Sequence, residues 1–569
     1  MRNFKKLLYF LVFMLGWGCS EGQSWYWVQK EPTVGADIPY GDHPSVTDGY
    51  GNTFLASMND LVKFDYSGNV VWYTSTLNYL HGFPLLSVAI YSQGEYGAGY
   101  FQGNLVFDSD TLKCSNFSYS ALLAKYNSFG SPVWAKQGSN IGNGISYGYS
   151  VTSDINGNVY LTGIYAGIIT FDNDTLNSNS YYKTFIVKYD SSGNLKWCRS
   201  SKAGSVSIAN VNSVSSDSIG NIYLTGAFAR GNFSFGNDTI FNIGPREAFY
   251  IVKFDSAGNE IWTKSIRSDS CGSMPYSIAS DKTGNSYVSG VIDGEGSLFI
   301  GNDTLVNKQY GGPYPNFFAR FDANGKAMWG KEYATMDSSY WALSSVACNN
   351  YGNCYLLTIG EHLDNMQPYF MLKVGFDTFK LASTYEFQSA GVLLQYDSSG
   401  NFQCGSIYSD GGEDDGDAIS VSHSGQYIYL IGDLYQDGLF AADTIVNTHF
   451  DSPLFLARWQ SCGDTNIETS TPPISNPPSL SLFPNPNNGA FTLASVGTQN
   501  FVPAIVEIYN VMGEKVFTST PTLLPHSMGG ASVSYPINIS YEPSGIYLYR
   551  VMDESGALVG EGKFVIGSR

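Results

Sequence analysis

VKYDSSGNLKW, residues 187–197, is the stretch on which the fold turns. Apolar and aromatic residues lead into Asp190, two serines, Gly193 and Asn194, then out again through Leu195 and Trp197. Asp and Ser hold a tight turn by bonding to its backbone, and glycine takes the positive φ that closes it. Flanks rich in Val, Tyr and Trp favour strands. The stretch therefore reads as a β-hairpin. Near-copies read VKFDYSGNVVW at 62–72, AKYNSFGSPVW at 124–134, VKFDSAGNEIW at 252–262 and ARFDANGKAMW at 319–329. LQYDSSGNFQC at 394–404 and ARWQSCG at 457–463 are degenerate forms.

A second phrase alternates with the first. SVTSDINGNVYLTG (150–163) returns as SVSSDSIGNIYLTG (213–226) and SIASDKTGNSYVSG (277–290). Weaker copies lie at 45–57, 87–100, 345–357 and 418–432, so each phrase occurs seven times. Trp72, Trp134, Trp197, Trp262 and Trp329 recur every 62–67 residues, a period that signals a repeat architecture. Two hairpins make four strands. In the third repeat these are expected as YSVTSD, VYLTGIY, TFIVKYD and LKWCRS. Four antiparallel strands repeated seven times predict an all-β chain with a seven-bladed β-propeller. A β-solenoid is the competitor, although its coils are usually shorter. The last repeat stops at LFLARWQSCG without its final Trp strand. Trp27-Val28-Gln29-Lys30 resembles Trp262-Thr263-Lys264 and Trp329-Gly330-Lys331, so an N-terminal strand is expected to complete the last blade and close the ring.

The 569 residues exceed one ordinary domain, and 43% apolar content suffices for real cores. The net charge of −19 argues against nucleic acid and anionic lipid as partners. Residues 1–20 read as a signal peptide: Arg2, Lys5 and Lys6, an apolar run from Leu7 to Trp17, then small residues. Lipidation at Cys19 is the lesser alternative, since Leu15 sits one place too far away and Trp17 is bulky. No segment is long and apolar enough to be a transmembrane helix. Export permits disulfides, with Cys348–Cys354 and Cys404–Cys462 as candidate pairs. No CxxC occurs and the His residues are scattered, which argues against structural zinc.

Residues 25–463 are similar to the SBBP-type β-propeller repeats of exported Bacteroidetes proteins, which implies the fold and no single activity. Residues 464–478, with Pro472, Pro473, Pro477 and Pro478, read as a linker. Residues 479–569 alternate apolar and polar residues around Gly turns and are expected to form a small Ig-like β-sandwich. This block resembles the type A C-terminal sorting domain of the type IX secretion system. The matching residues are Pro484, Asn485, Pro486, Asn487, Asn488, Gly489 and Phe491, then Ile508 to Gly513, Gly545 to Leu548 including Tyr547, and the closing KFVI at 563–566. The resemblance implies as partners the type IX machinery and its sortase-like peptidase, and a product released or anchored at the outer-membrane surface.

Other candidates are weaker. FDSDTL (107–112), FDNDTL (171–176), FGNDTI (235–240), IGNDTL (300–305) and AADTI (441–445) read as a loop with a fixed role in blade packing. Asp-Thr-aliphatic also resembles the O-glycosylation sequon of exported Bacteroidetes proteins, which nominates Thr111, Thr175, Thr239, Thr304 and Thr444. SDGGEDDGD (409–417) gathers Glu413, Asp414, Asp415 and Asp417; it reads as a solvated loop first and a Ca²⁺ site second. No other cofactor is expected. GxSxG, HExxH and P-loop patterns are absent, so no catalytic residue is nominated. The expected function is a non-enzymatic binding or adhesion protein, with a glycan or a protein as ligand. A propeller-type polysaccharide-degrading enzyme and a structural surface-layer component are the alternatives.

Overall fold

The computed structural model describes residues 25–30, 45–57, 60–75, 85–91, 94–107, 110–115, 118–179, 181–203, 209–229, 231–308, 315–335, 339–362, 369–374, 377–382, 389–409, 418–433, 438–440, 443–445, 454–459, 461, 479–483, 490–496, 505–510, 515–518, 534–552 and 558–567. Among them the chain is all-β, without a helix, and built from small antiparallel sheets. The third sheet runs Ser139–Ser153, Val159–Phe171, Lys183–Tyr189 and Leu195–Ser200, each strand paired with the next. Its first two strands are longer than expected and run on together beyond the repeat phrase. The same four-strand order recurs in the sheets that begin at Ser45, Leu85, Ser213, Gly272 and Ser339. In the seventh, Ala418–Val421, Ile428–Asp433 and Leu454–Trp459 take Trp25–Lys30 as the fourth strand, with Val28 opposite Ala457.

The turn of the opening stretch shows why its residues recur. The Asp190 Oδ1 accepts the N–H groups of Ser192 (3.0 Å) and Asn194 (2.9 Å), and the Asn194 amide donates to Oδ2 at 3.0 Å. Gly193 sits at φ 82° and donates to the Asp190 carbonyl at 2.9 Å. The same pattern forms at Asp65, Asp154, Asp217, Asp255, Asp281 and Asp397.

The phrase also joins each sheet to the next. The Trp197 indole N–H donates to the Ser256 carbonyl at 3.2 Å, and the Lys188 ammonium reaches the same oxygen at 2.8 Å. Ser256 lies in the turn of the next copy. There a Cβ on Gly258 would come within 2.7 Å of the Trp197 ring. Trp72, Trp134, Trp262 and Trp329 repeat the contact with Ser128, Ser191, Ala323 and Ser398. Each Trp therefore needs the glycine of the copy that follows it, which explains why the two travel together.

The seventh sheet meets the first in a like manner. Thr47 and Ser420 share a 2.6 Å hydrogen bond, and the Tyr429 hydroxyl donates to the Gly51 carbonyl at 3.0 Å. Leu55, Val62 and Phe64 share one apolar cluster with Tyr427, Tyr429, Ile431 and Leu456.

Most of the Asp-Thr pairs lie on strands rather than in loops, at Asp110–Lys113, Asp174–Asn177, Asp303–Asn307 and Asp443–Ile445, whereas Asp238 and Thr239 lie in the loop between Gly231–Ser234 and Ile240–Asn242. They belong to β-hairpins set between the second and third strands of their sheets, such as Asn104–Phe107 with Asp110–Lys113, and Gly296–Ile300 with Asp303–Asn307. Several reach back to chain leaving the preceding sheet, where Lys202 pairs Ser234, Arg267 pairs Phe299, Ala334 pairs Lys373 and Tyr408 pairs Phe440. The reason lies in the alternation of Leu298, Ile300 and Leu305, buried in the seam, with exposed Thr304 and Val306.

At the seam of the first two sheets, Glu95 is only 3% exposed, and among the described residues its Oε2 has no hydrogen-bond partner. Burial raises this carboxyl to about 8; the Lys63 ammonium opposes the rise and Asp48 adds to it. A carboxyl raised in the fold destabilises it progressively as pH climbs from its unfolded value, near 4.5, to the raised folded one. Glu95→Gln is therefore expected to raise the Tm at pH 8 and leave it unchanged at pH 4. An equal change at both pH values would locate the effect elsewhere.

The C-terminal residues form two further sheets. One joins Ser479–Phe483, Ala490–Val496 and Ser534–Asn538; the other joins Lys515–Thr518, Ile505–Asn510, Gly545–Met552 and Leu558–Ile566. Phe491 and Ile537 from the first pack with Val506, Ile508, Tyr547 and Phe564 from the second.

Candidate functional site

The first strands of all seven sheets line one cavity of about 590 Å³. Small residues in the repeated S-V-x-S phrase leave this space open, and their hydroxyls tie neighbouring strands together. Ser87, Ser150, Ser213 and Ser277 accept the N–H groups of Val151, Val214, Ile278 and Val346 in the next sheet, at 3.1–3.3 Å. One turn later, Ser153, Ser216 and Ser280 donate to the carbonyls of Ile90, Ser153 and Ser216 at 2.7–2.8 Å. The wall is thus a preorganised lattice of hydroxyls between aliphatic side chains.

Three carboxylates, Asp154, Asp217 and Asp281, border the cavity among its described lining residues. All three are at most 3% exposed. Each gives Oδ1 to two turn N–H groups and Oδ2 to an Asn amide. The hydroxyls of Tyr160, Tyr223 and Tyr287 donate to the same Oδ2 atoms at 2.8, 3.0 and 3.1 Å. Burial raises these phenols far above their ordinary value, with the Asp neighbours adding to it, so they stay protonated as donors. The carboxylates hold turns and have no acceptor capacity aimed at the cavity. His423 lies at the same end, exposed, with its carbonyl accepting the Asn350 N–H at 2.9 Å. Among the described residues no group of three or more His, Cys, Asp or Glu is placed to hold a metal.

The residues singled out in the sequence fall in several places. Thr111, Thr175, Thr239 and Thr304 are exposed on their hairpins, and their hydroxyls make no hydrogen bond to the described residues. Thr444 lies on the strand Asp443–Ile445. The neighbouring aspartates serve the fold. Asp238 accepts the Thr263 N–H at 3.3 Å and Asp303 the Gly330 N–H at 2.9 Å, pinning each hairpin to the strand after its Trp. Sequence reading missed a sixth copy, Asp377-Thr378, on the hairpin Tyr369–Val374 with Asp377–Ala382. Phe379 stands where the other copies have Leu or Ile; the signal was the Asp-Thr pair itself at the recurrent position. Cys348 and Cys354 form a disulfide across their turn, with Cα atoms 4.2 Å apart. Cys404 is disulfide-bonded to a partner outside the described residues, where Cys462 also lies. Cys114, Cys198 and Cys271 are free. Glu413, Asp414, Asp415 and Asp417 lie outside the described residues, as do Pro484, Asn485, Pro486, Asn487, Gly489 and Gly513. Phe491 and Tyr547 are buried in the C-terminal core, and Gly545 opens a strand.

Residues 481–566 match the family described as the secretion system C-terminal sorting domain. The chain thus carries a sorting tail of the type IX kind, which marks it for export to the cell surface or beyond. No curated protein matches the chain. Among solved structures it is similar to a quinohemoprotein alcohol dehydrogenase from Comamonas testosteroni, at 11% identity and TM-score 0.36, over 74% of this chain and 67% of that one. It is also similar to a protein of unknown function from Bacteroides caccae, at 11% identity and TM-score 0.29, over 64% of this chain and 93% of that one. A member of the DUF4221 family from Bacteroides vulgatus gives 10% identity and TM-score 0.30, over 77% and 99%. Likeness this distant carries no inference about activity.

Proposed function

We propose that the protein is a non-enzymatic binding or adhesion protein that works outside the cell or on its surface. Residues 25–463 are the working part, a seven-bladed β-propeller of SBBP-type repeats closed by the N-terminal strand. Residues 1–20 are a signal peptide, 464–478 a linker and 479–569 the Ig-like sorting domain, cleaved by the sortase-like peptidase of the type IX machinery. The ligand is a glycan or a protein. The observation that carries this reading is the state of the cavity carboxylates: Asp154, Asp217 and Asp281 have every acceptor position filled by their own turns and a Tyr hydroxyl. A hydrolytic site needs a carboxyl with a free lone pair or a transferable proton. In these three the lone pairs are taken up by the fold itself. We read the exposed Asp-Thr threonines as glycan acceptors, which an intact mass above that of the bare polypeptide would support, and pair Cys404 with Cys462.

The test is a glycan and polysaccharide array probed with the full chain, with and without Ca²⁺, each positive followed by an assay for new reducing ends. Saturable binding without new ends is expected. New ends, lost on replacing a single carboxylate, would make the protein a polysaccharide-degrading enzyme. Self-assembly with no ligand would make it a surface-layer component.

A further inference from the structure

Around the middle of the long first strand of the third sheet, Ser139–Ser153, five tyrosines meet. Tyr100 contacts Tyr119 and Tyr147 edge to face, with ring centroids 5.7 and 5.0 Å apart. Tyr119 and Tyr147 are 5.3 Å apart, and Tyr147 stacks near-parallel on Tyr149 at 6.1 Å. Tyr182 joins the group by packing against the same buried cluster as Tyr147 and Tyr149. The backbone is shaped for this gathering. Gly148 lies between Tyr147 and Tyr149, and a Cβ there would sit 2.6 Å from the Gly99 carbonyl oxygen. Two glycines thus let the strands touch and bring Tyr147 and Tyr149 beside Tyr100. Below, the Asn140 amide and the Ser146 N–H both donate to the Tyr119 carbonyl, at 2.8 and 2.9 Å. Tyr147, Tyr149 and Tyr182 rest on the buried cluster that spans the third and fourth sheets.

All five rings are half-buried, so the floor is ordered before any ligand arrives. The hydroxyls of Tyr147, Tyr149 and Tyr182 make no hydrogen bond to the described residues. Burial, then the neighbouring phenols, raises the pKa values of Tyr147 and Tyr149, that of Tyr149 to about 12, so both remain neutral donors and acceptors. The five side chains of the floor carry no formal charge, and rings this close leave no gap between them for a cation. A neutral ligand with an apolar C–H face and many hydroxyls fits both halves of the surface.

We propose that the floor formed by Tyr100, Tyr119, Tyr147, Tyr149 and Tyr182 binds a neutral saccharide unit of a glycan chain. This deepens the reading of the protein as a binder and rests on it. The experiment titrates the full chain with cellohexaose, mannohexaose, maltohexaose and the acidic hexagalacturonate, followed by calorimetry and by an assay for shortened products. At least one neutral hexasaccharide is expected to bind, and hexagalacturonate to bind more weakly. Tyr147→Phe keeps the ring and loses only the hydroxyl, so it should fold normally and bind about three- to tenfold more weakly. Tyr149→Ala should bind about tenfold more weakly or worse. Equal affinity in parent and both variants would overturn the floor as a site while sparing the binder. Shortened products would overturn the binder reading instead. No binding by any neutral hexasaccharide, with capture of a protein ligand that depends on these tyrosines, would overturn the saccharide assignment.

Discussion

A chain lacking residues 1–30 is expected to lose about 5 kcal/mol of stability, enough to abolish its cooperative transition near room temperature. Trp25–Lys30 pairs with the last strand from Lys30 opposite Phe455 to Trp25 opposite Trp459, with one irregularity between Trp25 and Trp27. Each lost backbone hydrogen bond costs about 1 kcal/mol, and the strand supplies several. A domain's whole margin is about 5–15 kcal/mol. The truncated chain would also expose Leu454–Trp459 as a free edge, so aggregation should accompany the loss. Urea unfolding followed by tryptophan fluorescence, with light scattering, checks both. An unchanged midpoint would mean that the N-terminal strand is decoration.

Trp197→Ala is expected to cost about 3–5 kcal/mol, the usual range for emptying a large aromatic site. The ring is 6% exposed and lies between Tyr160 and Phe254, at 5.9 and 6.4 Å, so the hole would open across the seam of two sheets. Its N–H bond to the Ser256 carbonyl would be lost as well. Trp197→Phe keeps part of the packing and should recover more than half of the loss. Urea midpoints of the two variants measure this directly. If Trp197→Ala costs under about 1 kcal/mol, the seam does not depend on the repeated Trp.

Much of the fold was legible because one phrase does two local jobs. Asp190 and Gly193 build a turn by contacts within five residues, and such chemistry is readable from sequence. The second job, Gly258 under Trp197, was legible only as a coincidence of spacing: nothing in the residues says which surface the indole covers. The hairpins went unread as strands. Their apolar residues are few, and Leu298, Ile300 and Leu305 become a buried face only when laid on the neighbouring sheet. Less of the site was legible. Asp154 reads as a turn residue, yet its burial beside the cavity depends on seven strands far apart in the chain. The tyrosine floor left a trace in Tyr147-Gly148-Tyr149. In a chain with 41 Tyr, that trace does not stand out until Gly99 is seen lying against it.

The proposed closed ring is tested most directly by joining the ends. Trp27 lies opposite Arg458 in the strand pairing, so Trp27→Cys with Arg458→Cys places two thiols on adjacent strands. Under mild oxidation the account predicts that peptides from the first and last strands are recovered as one disulfide-linked species. That link should form in the native protein and be lost when the thiols are oxidised in urea. Recovery of the two peptides unlinked from a natively folded chain would contradict it: the seven sheets would then be an open array.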